Sequence, residues 1–352
     1  MYIDTHVHLR GFKESYKQEN VKHGLEVARD SGVYVVCDMP NTDPTITTLG
    51  VVEDRLKLAR DACIPEVQYK LFVGLTADAE QVKQAVEIYR EFFPHVIGFK
   101  LYAGHSVGNL GVVKIHDQIK IYETLLKQGY EGLLVVHAEK QSLINEYRSG
   151  YRNPIFHCYA RPEKAEIESV KDQLKLVHQT EFNGKLHIAH ISSPRAVELV
   201  HEARQQGVNV SCAVTPHHII YDWTQMQDPS GLLWKMNPPL RSPESKDQML
   251  RYLRKGMIDW IETDHAPHNL DEKLNDPWMS GIPGLPWWPL FEEFLRYHNF
   301  SDKQIFALTF ENARKRLGID IDTSKKRKYV DRRSDYAFNP YTPIEEMLGW
   351  SR

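Results

Sequence analysis

Eight short apolar or β-branched runs recur along the 352 residues, each separated from the next by enough chain for a helix or a long loop. They are YIDTHV (2–7), VYVVCDM (33–39), VQYKLFV (67–73), VIGFKLY (96–102), LLVVHA (133–138), KLHIAHI (185–191), VNVSCAV (208–214) and MIDWIET (257–263). Several intervening segments have helical period and recognisable ends. NVKHGLEVARDSG (20–32) closes on Gly32, and DAEQVKQAVEIYREF (78–92) opens on a capping Asp78. PEKAEIESVKDQLKLVHQ (162–179) begins with Pro and early Glu, and PRAVELVHEARQQG (194–207) closes on Gly207. This alternation predicts an α/β fold, a closed parallel (β/α)8 barrel of the TIM type. An open doubly wound sheet is the competitor. It is weakened because neither a glycine-rich dinucleotide turn nor a P-loop follows any strand. Helical segments 287–298 and 301–317 follow the eighth run, and the one linker-like break lies near 319–325. The expected division is a barrel over 1–319 and a C-terminal extension over 320–352, basic at 325–333 and then aromatic, packing on the barrel.

Composition narrows the function. Lys and Arg number 44 against 47 Asp and Glu, a net charge of −3, which argues against nucleic-acid or membrane-surface binding driven by bulk charge. No apolar run approaches the roughly 18 residues of a membrane span. MYIDTHVHLR lacks the basic segment and apolar core of a secretory leader. Four scattered cysteines, Cys37, Cys63, Cys158 and Cys212, form no CxxC pair and read as reduced residues of a cytoplasmic protein.

In such barrels chemistry sits at the C-terminal ends of the strands, so the polar residues there are the candidates. They are His6 and His8, Asp38 and Asn41, Lys100, His137, His190, His217 and His218, and Asp264 with His265. His6 and His8, two apart on a strand, face the same side and suit one cation. With 17 histidines in 352 residues, roughly 0.8 such pairs arise by chance, so the pair alone is weak. His187 and His190 are three apart, so strand alternation sends at most one inward; His190 is the better ligand and His187 a structural residue. Lys100 in VIGFKLY reads either as a lysine snorkelling to solvent or as a desolvated amine. In its neutral form such an amine adds carbon dioxide to give a carbamate. The densest cluster is TDHAPH (263–268), where Asp264 can ligate a metal and carry a proton; the plain alternative is a helix cap beside two surface histidines.

Taken together, these motifs resemble the dihydroorotases, in the cyclic-amidohydrolase group of the amidohydrolase superfamily. The matching segments run from Asp4 to about Pro343: DTHVHLR, DMPNTDP (38–44), GFKLYAG (98–104), VVHAE (135–139), HIAHIS (187–192), MNPPLR (236–241) and TDHAPH. Seven motifs in family order carry far more weight than any one of them. The resemblance implies a binuclear site with two divalent metal ions, zinc. His6, His8 and Asp264 would hold one, His137 and His190 the other, with a carboxylated Lys100 and a hydroxide bridging them. It further implies that Arg10 and Asn41 bind a substrate carboxylate with help from His268, that Asn237 contacts the ring, and that Asp264 shuttles the proton. The implied reaction is reversible hydrolysis of L-dihydroorotate to N-carbamoyl-L-aspartate, a step of pyrimidine biosynthesis.

Where many relatives read HLREPG, this chain reads HLRGFKE. His6 lies so near the first residue that the small β-sandwich of many relatives is expected to be absent or rudimentary. The loop 103–111, AGHSVGNLG, resembles a mobile substrate-closing loop, with Ser106 placed to hydrogen-bond the substrate; an ordinary exposed turn is the alternative. Competing readings are a hydantoinase or dihydropyrimidinase, an allantoinase, and an inactive scaffold for aspartate carbamoyltransferase. Arg10 with Asn41 favours a carboxylate-bearing substrate, and all six ligand positions are filled, unlike an inactive relative. Self-association and docking to aspartate carbamoyltransferase are the partner expectations.

Overall fold

The computed structural model describes residues 1–11, 19–105, 110–145, 153–276, 278–324 and 328–350. Eight parallel strands lie in sequential order: β1 (Tyr2–Val7), β2 (Val33–Asp38), β3 (Gln68–Gly74), β4 (Val96–Tyr102), β5 (Leu133–His137), β6 (Lys185–Ile188), β7 (Val210–Val214) and β8 (Trp260–Ile261). A bridge between Val7 and His265, with His8 N donating to the His265 carbonyl at 2.8 Å, brings the last strand back to the first. The molecule is therefore a TIM-type barrel. Its eighth strand is shorter than the apolar run 257–263 suggested, with only two residues in ladder pairing.

Helices follow the predicted signals. Val21–Asp30 is capped by the Asn20 side chain on His23 N, and Ala79–Phe92 by Asp78 on Glu80 N. Glu163–Gln179 follows Pro162, and Pro194–Gln205 carries its Pro in the first turn. The segment 301–317 is one helical stretch interrupted by a π-turn at Ala307–Glu311. Helix Pro243–Arg254 between β7 and β8 lies outside the segments named from the sequence.

Two apolar clusters divide the core. One draws Ile3, Val35, Phe72, Ile97, Val135, Ala213 and Trp260 from seven strands and fills the barrel; Ala313, Leu317 and Ile319 close its N-terminal end. The other lies between strands and helices and contains Val96, Phe99 and Leu101. Ile97 faces inward, so strict alternation would send Phe99 and Leu101 inward and Lys100 outward. The observed faces are reversed because β4 holds an extra residue. Leu71 pairs with Val96, whereas Phe72 pairs with Gly98. Gly98 makes this possible: at φ 157° a Cβ would lie 2.3 Å from the Leu133 carbonyl oxygen. The bulge turns Lys100 into the barrel. A similar shift between Asp4 and Val7 in β1 precedes His8.

Asp38, one of the strand-end candidates, belongs to the framework. It accepts from Leu9 N at 2.9 Å, from the Tyr69 hydroxyl at 2.6 Å and from the buried Arg55 guanidinium. Arg55 also donates to the carbonyls of Leu9 and, at 3.0 Å, Gly11, on either side of Arg10. The segment bearing Arg10 is thus held by a buried ion pair.

Candidate active site

A cavity of about 250 Å³ opens at the C-terminal end of the barrel, lined by His6, His8, Arg10, Asn41, His137, His190, Asn237 and Asp264 among others. Eight of the eleven site residues expected from the sequence therefore line one cavity. Lys100 and His268 are buried close by, and Ser106 lies outside the described residues, as do Phe12, Lys13 and Glu14 of the altered HLRGFKE segment.

The ring nitrogens of His6 and His8 and a carboxylate oxygen of Asp264 lie within 4.8 Å of one another. His8 Nε2 is 2.9 Å and His6 Nε2 3.4 Å from Asp264 Oδ1. Their other nitrogens face acceptors: His6 Nδ1 lies 3.3 Å from Glu262 Oε1, and His8 Nδ1 lies 2.7 Å from Asn41 Oδ1. An ionised carboxylate and an amide oxygen only accept, so both protons sit on Nδ1 and both Nε2 lone pairs point at the shared space. Burial keeps both imidazoles neutral. It lowers His6 to about 4, with help from Lys100, and His8 well below its usual value, with help from Arg10.

A second pair sits beside this group. His137 Nδ1 and His190 Nε2 face each other at 3.0 Å, and the His6 and His190 rings are 5.0 Å apart. His137 Nε2 donates to Glu139 Oε2 at 3.0 Å, which frees its Nδ1 lone pair. Glu139 is fixed in turn by the Arg161 guanidinium at 2.6 and 3.2 Å. His190 reaches the site with φ 36°, beyond the end of β6, and its N–H donates to Glu262 Oε1 at 2.7 Å. This departure from strand geometry overturns the alternation argument for His187 and His190. His187 stays inside the barrel, stacked on Trp260 at 4.3 Å and bonded to Ser211 Oγ at 2.9 Å, and His190 also turns inward.

Lys100 is fully buried, and its Nζ has no hydrogen-bond partner. The snorkelling alternative is therefore wrong for this lysine. Burial lowers its pKa to about 8, against the opposing pull of Glu262 and Asp264. Relative to an ordinary value of about 10.5, the neutral fraction at pH 7 rises roughly 300-fold. Burial also raises the Asp264 carboxyl, although His6 and Lys100 oppose the shift. These convergent lone pairs, an orphaned buried amine and a buried carboxylate form a donor set that fits divalent cations.

Across the cavity, Arg10 Nη1 lies 3.0 Å from His268 Nε2. Burial, followed by Arg10 itself, pushes His268 far down, so the neutral ring accepts this proton. Asn237 turns a buried Oδ1 with no hydrogen-bond partner toward the cavity. His217 and His218, also at a strand end, lie in the short helix Pro216–Ile220 and join no metal-binding group among the described residues. Glu262, which bonds His6 and His190, and Glu139, which bonds His137 and is held by Arg161, were not singled out from the sequence. Glu262 carried the same signal as Lys100, a charge inside an apolar run. Lys235, Tyr102, His105 and the 278–281 rim also line the cavity without having been singled out.

No family model matches the chain. Among curated proteins, the dihydroorotase of Aeropyrum pernix is 32% identical over 291 residues, covering 82% of this chain and 62% of that protein. The chain thus spans under two thirds of that relative's length. The dihydroorotase of Staphylococcus aureus is 30% identical over 337 residues, covering 94% of this chain and 76% of that protein. Among solved structures, the L-hydantoinase (dihydropyrimidinase) of Arthrobacter aurescens superposes with a TM-score of 0.78 at 23% identity, over 90% of this chain and 70% of that one. A dihydropyrimidinase from Brevibacillus agri gives 0.75 at 21% identity, over 94% and 73%. These structures share the fold.

Proposed function

The chain belongs to the dihydroorotase family, and on that basis we propose that it interconverts L-dihydroorotate and N-carbamoyl-L-aspartate. The observation that carries this reading is the joining, in one cavity, of a convergent His/Asp donor set with Arg10 and an orphaned amide acceptor on Asn237.

His6, His8 and Asp264 would hold one divalent cation and His137 and His190 a second, with Lys100 as its carbamate between them. Zinc suits this mix of imidazole and carboxylate ligands. Such cations, when bound, lower the pKa of water toward about 7 and polarise a carbonyl. Arg10 clamps the substrate carboxylate through its planar fork, while His268 holds one end of the guanidinium. Asn41 gives its Oδ1 to His8, which leaves its amide N–H groups for the same carboxylate. Asn237 Oδ1 accepts a ring N–H. Asp264 takes a proton from the attacking water on a carboxylate oxygen. As the ring C–N bond breaks, Asp264 delivers that proton to the leaving nitrogen. The raised Asp264 carboxyl suits a group that must both take and release a proton. The Ser106 contact and closure of loop 103–111 extend the same proposal.

The four cysteines are unpaired, which suits a cytoplasmic, reducing compartment. No helix among the described residues is long and apolar enough to cross a membrane. Self-association and docking to aspartate carbamoyltransferase are the proposed partner relations. The decisive test is turnover of dihydroorotate against dihydrouracil, hydantoin and allantoin, with metal content measured on the same protein. Preference for dihydroorotate by orders of magnitude supports the reading. Equal turnover of dihydrouracil makes the protein a hydantoinase or dihydropyrimidinase, and a metal-free inactive protein makes it a scaffold.

A further inference from the structure

Asp264 holds a backbone conformation that non-glycine residues rarely adopt, φ 50°. Neighbouring anchors sustain it on both sides. Before it, Thr263 donates from N at 3.0 Å and from Oγ1 at 2.6 Å to the buried Asp4. After it, the fully buried His265 is held at both ring nitrogens. Its Nδ1 accepts from Gly284 N at 3.0 Å and Leu285 N at 3.1 Å, which places its proton on Nε2. That Nε2 donates to Glu19 Oε2 at 3.1 Å. The same oxygen accepts from the Tyr336 hydroxyl at 2.9 Å, and the Tyr336 ring stands edge-on to His265 at 5.3 Å. Glu19 comes from the β1–β2 connection, whereas Tyr336 comes from the segment that follows the barrel. The His265 carbonyl in turn accepts from His8 N, so the anchor reaches two members of the donor set.

We propose that Tyr336 is a positioning residue for Asp264, acting through Glu19 and His265, so that this one hydroxyl of the C-terminal segment supports the active site. The proposal rests on the catalytic reading of Asp264 given above. The phenol fixes the Glu19 carboxylate, the carboxylate fixes the imidazole, and the imidazole holds the residue that keeps Asp264 in its strained conformation. None of these three groups is among the residues that line the cavity.

The test compares Tyr336→Phe, which keeps the ring and removes the hydroxyl, with Arg333→Ala. The Arg333 carbonyl accepts from Tyr336 N at 3.3 Å, but the Arg333 side chain, which alanine removes, pairs with Glu345 and Asp331. Each protein is assayed for kcat and KM, for Co2+ affinity by visible absorption, and for thermal midpoint. Tyr336→Phe is expected to lower kcat about five- to twentyfold and weaken Co2+ binding about three- to tenfold, with KM within about twofold, as befits loss of one charge-assisted bond. Arg333→Ala is expected to lower the midpoint and leave kcat and Co2+ affinity within about twofold. The proposal is overturned if Tyr336→Phe leaves both kcat and Co2+ affinity at wild-type values, or if Arg333→Ala lowers them equally. If the wild type turns over no dihydroorotate, the function reading fails separately, and the Co2+ comparison still decides the positioning role.

Discussion

Lys100→Met offers a test in which stability and function move in opposite directions. In metal-free protein kept free of carbon dioxide, the amine is fully buried with no acceptor, and burial holds its pKa at about 8. The unfolded chain, with a lysine near 10.5, binds the proton more tightly. Stability therefore rises with pH between about 8 and 10.5, and below about 8 the folded protein carries the whole penalty. The gap of about 2.5 between the two values is worth about 3 kcal/mol. Unfolding entropy of about 2.1 cal/mol/K per residue amounts to about 0.7 kcal/mol/K for a chain of this length. Methionine, similar in length and uncharged, should then raise the melting midpoint by about 4 °C at pH 7, and the advantage should shrink toward pH 10.5. Scanning calorimetry at both pH values reads this directly. On addition of bicarbonate and zinc, the wild type should gain stability and activity, and Lys100→Met should gain neither. A midpoint at pH 7 no higher than wild type, or an advantage undiminished at high pH, would refute the account of Lys100 as a strained, neutralisable amine.

Asp264→Asn should fold and lose about 10²–10⁴ in kcat in both directions, followed by dihydroorotate formation and hydrolysis. Arg10→Met should cost roughly 2–5 kcal/mol in kcat/KM for dihydroorotate and little for dihydrouracil, so the ratio of the two is the readout. Arg55→Met leaves Asp38 buried without its cation and should destabilise the protein by about 3–5 kcal/mol in urea unfolding. The hydrogen bond to Glu19 raises His23 to about 9 despite partial burial, so His23 stabilises the fold fully below about pH 6.5 and loses that contribution as pH rises through about 9. His23→Gln should flatten the midpoint against pH across that window, and an unchanged slope would count against the assignment.

Much of this was legible in the chain itself. Eight apolar runs and the capping residues between them specify a parallel barrel, because both signals are local: strand and helix periods need only a few neighbouring residues. The barrel then brings His6, His8, His137, His190 and Asp264 to one mouth, because each stands at or just beyond a strand's C-terminal end. The direction of individual side chains was not legible. Lys100 points inward because of one extra residue opposite β3, accommodated by Gly98 against the Leu133 carbonyl, and His190 joins His187 inside because the chain leaves strand geometry after Ile188. The first depends on the register of a neighbouring strand and the second on Glu262 meeting the His190 N–H from a distant part of the chain, neither of which a local period encodes. The supporting groups were hidden for the same reason. Arg161 meets Glu139 across 22 residues within the β5–β6 connection, whereas Glu262 beneath His6 and Tyr336 behind His265 act across 256 and 71 residues, where only the tertiary fold decides which groups meet.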